Sequence, residues 1–313
     1  MTSISPARGP RAESECTSAD AIEFHYDVGN DFYALWLDET LAYSAAVWDG
    51  IGAGERGVEA LAAAQRAKFA LHLDLAGAPA SSEPGDFSLL DVGCGWGGLI
   101  DYAVRTGRVT QATGLTLSRA QRDHIHSRGL PEVRVALEGW DAHQPERPYD
   151  GIISVGAFEH FVTGSTPNDQ RITAYRSYFE KCYQWLSPGA GMSLQTIAYD
   201  GVSGPKGPVG SFVASEIFPD AALPRLSEIT AACDPYFSVT WLRSSARDYA
   251  RTLGVWSASL LEAREEAQRV AGDEVYRRYR RYLRACEVTF VREAATLYRI
   301  GFRRRDEVLQ LSD

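Results

Sequence analysis

The stretch "LLDVGCGWGG" at residues 89–98 is the clearest structural signal in the sequence. Apolar residues lead into Asp91, and glycines follow at positions 93, 95, 97 and 98. Glycine lets the backbone turn sharply and approach a ligand, because no Cβ atom stands in the way. The stretch therefore predicts a first strand that turns into a helix beside a bound ligand.

Strands and helices alternate along the rest of the chain. Further strands are predicted, with helical stretches between most of them, at 112–118, 133–138, 149–156, 191–198, 237–242 and 296–304. Continuous apolar strands that alternate with amphipathic helices favour a mostly parallel sheet covered on both faces. We therefore predict an α/β fold, with residues 20–83 forming helices ahead of the first strand.

The second strand narrows the kind of ligand. A glycine loop alone is weak evidence, since dinucleotide sites use a similar spacing. A dinucleotide-binding chain usually places an acidic residue about 20 positions further on, where it holds the ribose. Here the second strand ends in "GLTLSRAQ", which offers Thr116, Ser118 and Gln121 but no acid. The lack of an acidic residue there argues against a dinucleotide as the bound ligand.

Composition excludes several classes of partner. The net charge of −9 over 313 residues argues against nucleic acid. No run of about 18 apolar residues occurs, so we expect no integral membrane association. The five cysteines are scattered without zinc-site spacing, so we expect no metal. The N-terminus has no secretory signal pattern, and the protein is predicted to be cytoplasmic.

We predict a single domain after a flexible leader at 1–20. The domain, 21–313, is divided into a helical cap at 21–83, a cofactor-binding core at 85–200, substrate-covering insertions at 200–295 and a last strand at 296–305. The sequence leaves the oligomeric state open, with a homo-oligomer as one alternative.

Seven motifs in one order extend these observations to a family. They are "FHYDVGNDFYALWLDETLAYSAAVW", "LLDVGCGWGGL", "GLTLSRAQ", "VGAFEHF", "LSPGAGMSLQTI", "LPRLSEI" and "DYARTL". From about residue 20 to the C-terminus they resemble the cyclopropane-fatty-acid and mycolic-acid synthase family of S-adenosylmethionine methyltransferases. The resemblance implies a Rossmann-like class I methyltransferase fold, with a mostly parallel seven-stranded sheet and helical additions. It also implies S-adenosylmethionine as the cofactor.

The resemblance carries ten cofactor-binding residues onto this chain. They are Tyr43 and Ser44 at the methionine end, Asp91, Gly93 and Gly95 in the glycine stretch, Thr116 and Gln121 at the ribose, Trp140 and Asp141 near adenine, and Gly156 near the sulfonium. Taken singly, several have a plain structural interpretation, such as Trp140 in a core. Their shared order favours the binding role.

The stretch "VGAFEHF" at 155–161 places Glu159 beside His160, just after an apolar strand. A carboxylate there is expensive to bury without a purpose, and it would stabilise a nearby cation. An imidazole with an ordinary pKa of about 6.5 accepts a proton at neutral pH. A structural role for His160, tied to a backbone carbonyl, is equally open.

The resemblance also implies how a cyclopropane ring would be closed. In family members a bicarbonate serves as the base, held by a Cys, a Glu, a His, an Ile backbone and a Tyr. Glu159, Ile197 and Tyr249 match three of these positions. Ala45 stands at the Cys position and Gln195 at the His position, so a thiol and an imidazole are missing. The Gln195 amide still donates a hydrogen bond, and the bicarbonate site is weakened.

With this site altered, we predict a C-methyltransferase that acts on the alkene of a hydrophobic small molecule, such as a prenyl or terpenoid chain, in natural-product biosynthesis. The reaction would pass through a carbocation, with rearrangement or cyclisation among its outcomes. The predicted catalytic residues are Glu159, His160, Gln195 and Tyr249. The alternative is a cyclopropane synthase acting on unsaturated fatty acyl lipid. A further alternative is an amine N-methyltransferase that uses Glu159 and His160.

Overall fold

The computed structural model describes residues 28–80, 86–199 and 222–307. The predicted leader at 1–20 lies outside the described residues, as do parts of the predicted cap and insertions. Within the described ranges, no helix combines the length and the apolar character needed to cross a membrane. In the same ranges, no group of three or more His, Cys, Asp or Glu side chains is arranged to hold a metal ion.

One seven-stranded sheet forms the centre of the molecule. Its strands are β1 Ser88–Val92, β2 Gln111–Thr116, β3 Val133–Leu137, β4 Tyr149–Val155, β5 Leu186–Ala198, β6 Phe237–Ser244 and β7 Thr296–Arg304. The spatial order is β3-β2-β1-β4-β5-β7-β6. The first five strands run parallel, and β7 pairs antiparallel with β5 and β6. The predicted α/β fold with a mostly parallel sheet is confirmed.

Helices cover both faces of this sheet. They are α1 Asn30–Ala34, α2 Val58–Leu75, α3 Gly98–Arg105, α4 Arg119–Ser127, α5 Asn168–Trp185, α6 Leu226–Cys233, α7 Ala246–Glu262, α8 Arg264–Ala271 and α9 Asp273–Val291, with a 3₁₀ turn at Phe158–His160. Leu73 of α2 and Ile100 of α3 belong to the apolar core on one face. Phe179 of α5 and Ile229 of α6 belong to the core on the other. The continuous apolar strands are explained by burial on both faces.

A third core joins the N-terminal segment to the helices that follow β6. It contains Trp36, Trp256 of α7 and Tyr279 of α9. The Trp36 ring lies 5.8 Å from that of Trp256 in an edge-to-face arrangement, and the Tyr33 and Tyr279 hydroxyls are 2.7 Å apart. Aromatic packing therefore fixes this segment over the carboxyl ends of the strands, where a ligand site is expected.

The prediction that residues 20–83 are helical is wrong for 35–57, which is mostly turns and irregular backbone between α1 and α2. Its backbone groups find partners in distant parts of the chain. Ala46 N donates to Thr252 Oγ1 at 3.1 Å, and Val47 N donates to the Ala64 carbonyl at 3.1 Å. Tertiary hydrogen bonds replace helical ones here, and the segment lies against the ligand site.

Candidate active site

A cavity of about 190 Å³ lies at the carboxyl ends of β1, β2 and β4. All ten residues predicted to bind the cofactor line it: Tyr43, Ser44, Asp91, Gly93, Gly95, Thr116, Gln121, Trp140, Asp141 and Gly156. His160 lines it as well. The structure thus brings together residues that are more than a hundred positions apart in the chain. Their individual roles in binding stay predictions.

Two glycines allow three chain segments to meet at the cavity. Gly93 has a φ of 82°, and a Cβ atom there would lie 2.5 Å from the Ala157 Cβ. A Cβ atom on Gly98 would lie 2.5 Å from the Thr40 carbonyl oxygen. A larger residue at either position would push away the loop after β4 or the segment before Tyr43. The glycines are therefore required by close backbone approach.

The side of the cavity formed by β2 is a fixed hydrogen-bond array. The Thr116 hydroxyl donates to Gln121 Oε1 at 2.7 Å and accepts from the Ser118 backbone N–H at 3.1 Å. The Ser118 hydroxyl caps α4 by accepting from the Gln121 backbone N–H at 3.3 Å. The carbonyl end of the Gln121 amide is held toward Thr116, so the nitrogen end points away from it.

Trp140 forms the aromatic wall near the end of β3. Its ring lies 5.3 Å from the Phe161 ring and 5.3 Å from the Tyr178 ring. The neighbouring backbone is fixed by Lys181, whose ammonium donates to the Asp141 carbonyl at 2.8 Å. A ring held from two sides presents its remaining surface to the cavity, which suits stacking with a flat base.

One face of α2 carries three buried polar residues that the sequence motifs did not predict. Gln65, Lys68 and His72 are at most 1% exposed. Gln65 Nε2 donates to the Ser44 carbonyl at 3.0 Å, and Lys68 Nζ donates to the Ser44 hydroxyl at 2.7 Å. Their spacing of three and four residues was the available signal, because it places polar side chains where the helix should be apolar.

Opposite charges are buried at the β1 end of the cavity. Burial raises the pKa of Asp91 to about 7, although the Lys68 charge acts in the other direction. Burial likewise lowers the pKa of Lys68 to about 7. Both groups line the cavity. This end offers one anionic and one cationic group to a ligand.

Glu159 and His160 lie on the short turn that follows β4. Glu159 is 3% exposed, and its Oε1 accepts a hydrogen bond from the Ile197 backbone N–H at 2.6 Å. Its Oε2 is buried and has no hydrogen-bond partner among the residues that the structure describes. Burial raises the Glu159 pKa to about 7 and lowers the His160 pKa. His160 is therefore a neutral imidazole at neutral pH.

Gln195 is held by a buried hydrogen-bond network that includes Arg299. The sequence motifs did not predict this role for Arg299. Arg299 Nε donates to Gln195 Oε1 at 2.7 Å, and its Nη1 pairs with Asp248 at 2.8 Å. His72 Nε2 lies 3.4 Å from the same Gln195 oxygen. Gln195 Nε2 therefore faces the other way and donates to the Ala45 carbonyl at 3.4 Å. An arginine in the middle of an apolar strand was the signal for this network.

Three of the four predicted catalytic residues do not line the cavity itself. Glu159 lies on the turn between Ala157 and His160, which both line it, and Gln195 donates to the carbonyl of Ala45, the residue after Ser44. Tyr249 on α7 packs against Phe290 with ring centroids 4.5 Å apart. Burial is the main cause that raises the pKa of Tyr43, and the Tyr249 hydroxyl raises it further. The structure thus places one of the four, His160, in the lining of the cavity, and the catalytic roles of all four stay predictions.

The residues present fit a bound bicarbonate poorly. The Ile197 backbone N–H, one of the donors that the resemblance implies, is used by Glu159. The Gln195 amide nitrogen faces the Ala45 carbonyl, and Ala45 offers a methyl group where a thiol is expected. Two of the implied donors are thus engaged within the protein and a third is missing.

Comparisons with known proteins agree with this geometry. The family model described as mycolic acid cyclopropane synthetase matches residues 13–300. Cyclopropane mycolic acid synthase 2 of Mycobacterium leprae is 34% identical over 304 residues, which cover 91% of this chain and 93% of that protein. The solved structure of the cyclopropane synthase MmaA2 from Mycobacterium tuberculosis has a TM-score of 0.78 at 30% identity, covering 93% and 100%. The structure of mycolic acid cyclopropane synthase CmaA1 complexed with SAH and CTAB has a TM-score of 0.77 at 30% identity. The match covers 92% of this chain and 99% of that one.

The predicted main function is wrong. These relatives are cyclopropane mycolic acid synthases, and they do not support C-methylation of a prenyl or terpenoid small molecule in natural-product biosynthesis. They favour the alternative, a cyclopropane synthase acting on unsaturated acyl lipid. The altered positions Ala45 and Gln195 bear on the base that closes the ring, and they do not indicate which molecule accepts the methyl group.

The family resemblance, the enzyme class and the cofactor are confirmed by the same findings. A family model and full-length relatives match nearly the whole chain, and a relative of known structure holds SAH. The chain belongs to the mycolic acid cyclopropane synthetase family of S-adenosylmethionine-dependent methyltransferases.

Proposed function

We propose that this enzyme transfers a methyl group to the double bond of an unsaturated fatty acyl chain and closes a cyclopropane ring there. The observation that carries the proposal is the buried Glu159 carboxylate, which has one oxygen without a partner among the described residues. Its neighbours on the same turn, Ala157 and His160, line the cofactor cavity. The activities named for the full-length relatives support the choice of an acyl alkene. A cytoplasmic location remains a prediction.

The cavity fits S-adenosylmethionine, which supplies an electrophilic methyl group when bound. Its glycine turn leaves room that a Cβ atom on Gly93 would fill, and Trp140 offers an aromatic surface. Thr116 and Gln121 form a polar array suited to ribose hydroxyls. These groups would hold the methyl donor in one position, and orientation of this kind is a large part of catalysis for group transfer.

In the proposed reaction, bound S-adenosylmethionine would supply its methyl group to one alkene carbon, and the electron pair of the methyl–sulfur bond would stay on the departing thioether. The other alkene carbon is left as a cation. Glu159 Oε2 accepts a proton from the new methyl group, and the electron pair of that C–H bond closes the ring. A carboxylate in apolar surroundings also stabilises the cation before the proton moves. Because the site fits bicarbonate poorly, we assign the base to Glu159 itself.

The proposed base has a defined pH dependence. Glu159 must be ionised to accept a proton, and its pKa is raised by burial from 4.5 to about 7. At saturating cofactor and lipid, we therefore expect the turnover rate to rise as the pH increases towards about 7 and to level off above it. An ordinary carboxylate would already be ionised near pH 5, and the rate would be flat over the same interval.

The decisive experiment offers methyl-labelled S-adenosylmethionine and vesicles of monounsaturated phospholipid to the enzyme. We expect labelled acyl chains that are heavier by one methylene and have lost the double bond. Vesicles of saturated phospholipid are the matched control and should take up no label. Parallel incubations contain a panel of amines and a bicarbonate-depleted buffer. Label in amines alone would overturn the proposal, and strict dependence on added bicarbonate would overturn the assignment of the base.

The Glu159→Gln variant tests the role of the carboxylate. It keeps the side-chain shape and the oxygen that accepts from Ile197 N–H, but it cannot take a proton. We expect turnover to fall by about 10²- to 10⁴-fold, the usual contribution of a positioned base. Binding of S-adenosylhomocysteine should be unchanged within about twofold, since Glu159 does not line the cavity. Retention of turnover in this variant would rule out Glu159 as the base.

A further inference from the structure

Lys68 is a buried ammonium that faces the cofactor cavity with few partners. It is 1% exposed and lines the cavity. Its one hydrogen bond among the described residues goes to the Ser44 hydroxyl at 2.7 Å, and its Nζ lies 4.7 Å from the centre of the Phe69 ring. An ammonium has three donors, so two N–H groups remain for another acceptor.

The buried charge has no ion-pair partner within 4 Å in residues 28–80, 86–199 or 222–307. Asp38 and Asp91 act on it only at longer range, and Arg299 repels it. Burial is the largest influence and lowers the Lys68 pKa to about 7. Burying an ammonium without a counter-charge in direct contact is unfavourable, so its retention beside a cavity points to an anion supplied by the ligand.

The sheet order gives the position of that anion. Along the carboxyl edge, Trp140 follows β3, Thr116 ends β2, and Asp91 lies in β1. A nucleoside placed on Trp140 and Thr116 therefore extends its amino-acid end toward Asp91. Lys68 lies at that end, because it interacts with Asp91 and bonds Ser44. The ammonium and the carboxylate of a zwitterionic amino-acid group would therefore meet an anionic side chain, Asp91, and a cationic one, Lys68.

We propose that Lys68, together with Ser44, binds the carboxylate of the methionyl end of the cofactor. The carboxylate supplies the close ion-pair partner that the described residues do not provide, and it uses the two remaining ammonium N–H groups. Two charge-assisted hydrogen bonds of this kind give both affinity and orientation. The inference rests on the cofactor and not on the acyl acceptor, so it is tested separately from the proposed reaction.

The test compares two ligands that differ in this group. S-adenosylhomocysteine carries the amino-acid end, whereas 5′-methylthioadenosine keeps the adenosine and the thioether but has no carboxylate. In isothermal titration calorimetry with the full chain, we expect Lys68→Met to lower the affinity for S-adenosylhomocysteine by about 10- to 100-fold. Binding of 5′-methylthioadenosine should change by less than about twofold.

Two further variants separate binding from structure. Arg66→Met removes an exposed cation from the same helix, paired with Glu39 at 2.6 Å, and should leave both affinities unchanged. Lys68→Arg keeps the positive charge and should bind S-adenosylhomocysteine more tightly than Lys68→Met. Thermal unfolding of each variant without ligand checks that it folds. Equal losses for both ligands, or no loss for either, would overturn the proposal and leave Lys68 as a structural support of the Ser44 segment.

Discussion

At the scale of single residues, the site depends on charges that are buried in the fold. Arg299 is 0% exposed and bonds Gln195, Asp248 and the Ala46 carbonyl at 2.7, 2.8 and 2.7 Å. Its guanidinium thus joins β7 to β5, to α7 and to the N-terminal segment. The amide orientation of Gln195 follows from this contact, since its oxygen is taken by the guanidinium.

The chain offers a matched pair of arginines to measure this effect. Arg243 of β6 stands opposite Arg299 of β7 in the sheet, but it pairs with Asp49 near the surface. We expect Arg299→Met to lower the free energy of unfolding by about 3–5 kcal/mol, because Asp248 and two backbone carbonyls lose a buried partner. Arg243→Met should cost about 1 kcal/mol or less. Urea unfolding measures the free energy of unfolding of both variants. Equal losses of stability would contradict a particular contribution from the burial of Arg299.

At the scale of secondary-structure elements, the turn after β1 determines whether the cavity exists. Gly93 and Gly77 have similar φ values of 82° and 86°, but their surroundings differ. A Cβ atom on Gly93 would meet the Ala157 Cβ at 2.5 Å, whereas one on Gly77 meets nothing within 4 Å. The pair therefore separates backbone strain from steric contact at the site.

We expect Gly77→Ala to destabilise the fold by about 1–2 kcal/mol through its left-handed backbone alone, with cofactor affinity unchanged. Gly93→Ala should carry the same backbone cost and also displace the loop after β4, which includes Gly156. Its affinity for S-adenosylhomocysteine should fall by at least about tenfold. Titration calorimetry and urea unfolding on both variants give the two quantities. Equal affinities in the two variants would contradict a role for the Gly93–Ala157 contact.

The secondary-structure elements also show which parts of the fold can be predicted from the sequence alone. The central strands were predictable because they are buried on both faces and read as continuous apolar runs, as in β1 and β4. The segment 35–57 was not, because its backbone bonds to Thr252 and Ala64 depend on distant contacts. Motif order placed ten residues on one cavity. The positions of Lys68 and Arg299 in the site were not predicted, because each lies in an element whose sequence pattern indicates only packing.

At the scale of the whole molecule, the cofactor cavity lies where two bodies meet. The sheet supplies Asp91, Thr116 and Gly156, while the N-terminal segment supplies Tyr43 and Ser44. Side chains of α2 hold that segment in place, through Gln65 to the Ala42 and Ser44 carbonyls at 3.2 and 3.0 Å. A ligand that contacts both bodies should therefore stabilise the segment more than the rest of the fold.

Hydrogen exchange with and without S-adenosylhomocysteine measures this coupling. We expect amides at 41–48 to exchange at least about tenfold more slowly in the complex, because the ligand adds contacts to a segment held by few backbone hydrogen bonds. The helix Leu226–Cys233, on the opposite face of the sheet, serves as the internal control and should change little. In Lys68→Met the protection of 41–48 should be smaller, since the carboxylate contact beside Ser44 is lost. Uniform slowing across the molecule would show instead that the ligand stabilises only global unfolding, with no particular closure of the N-terminal segment over the site.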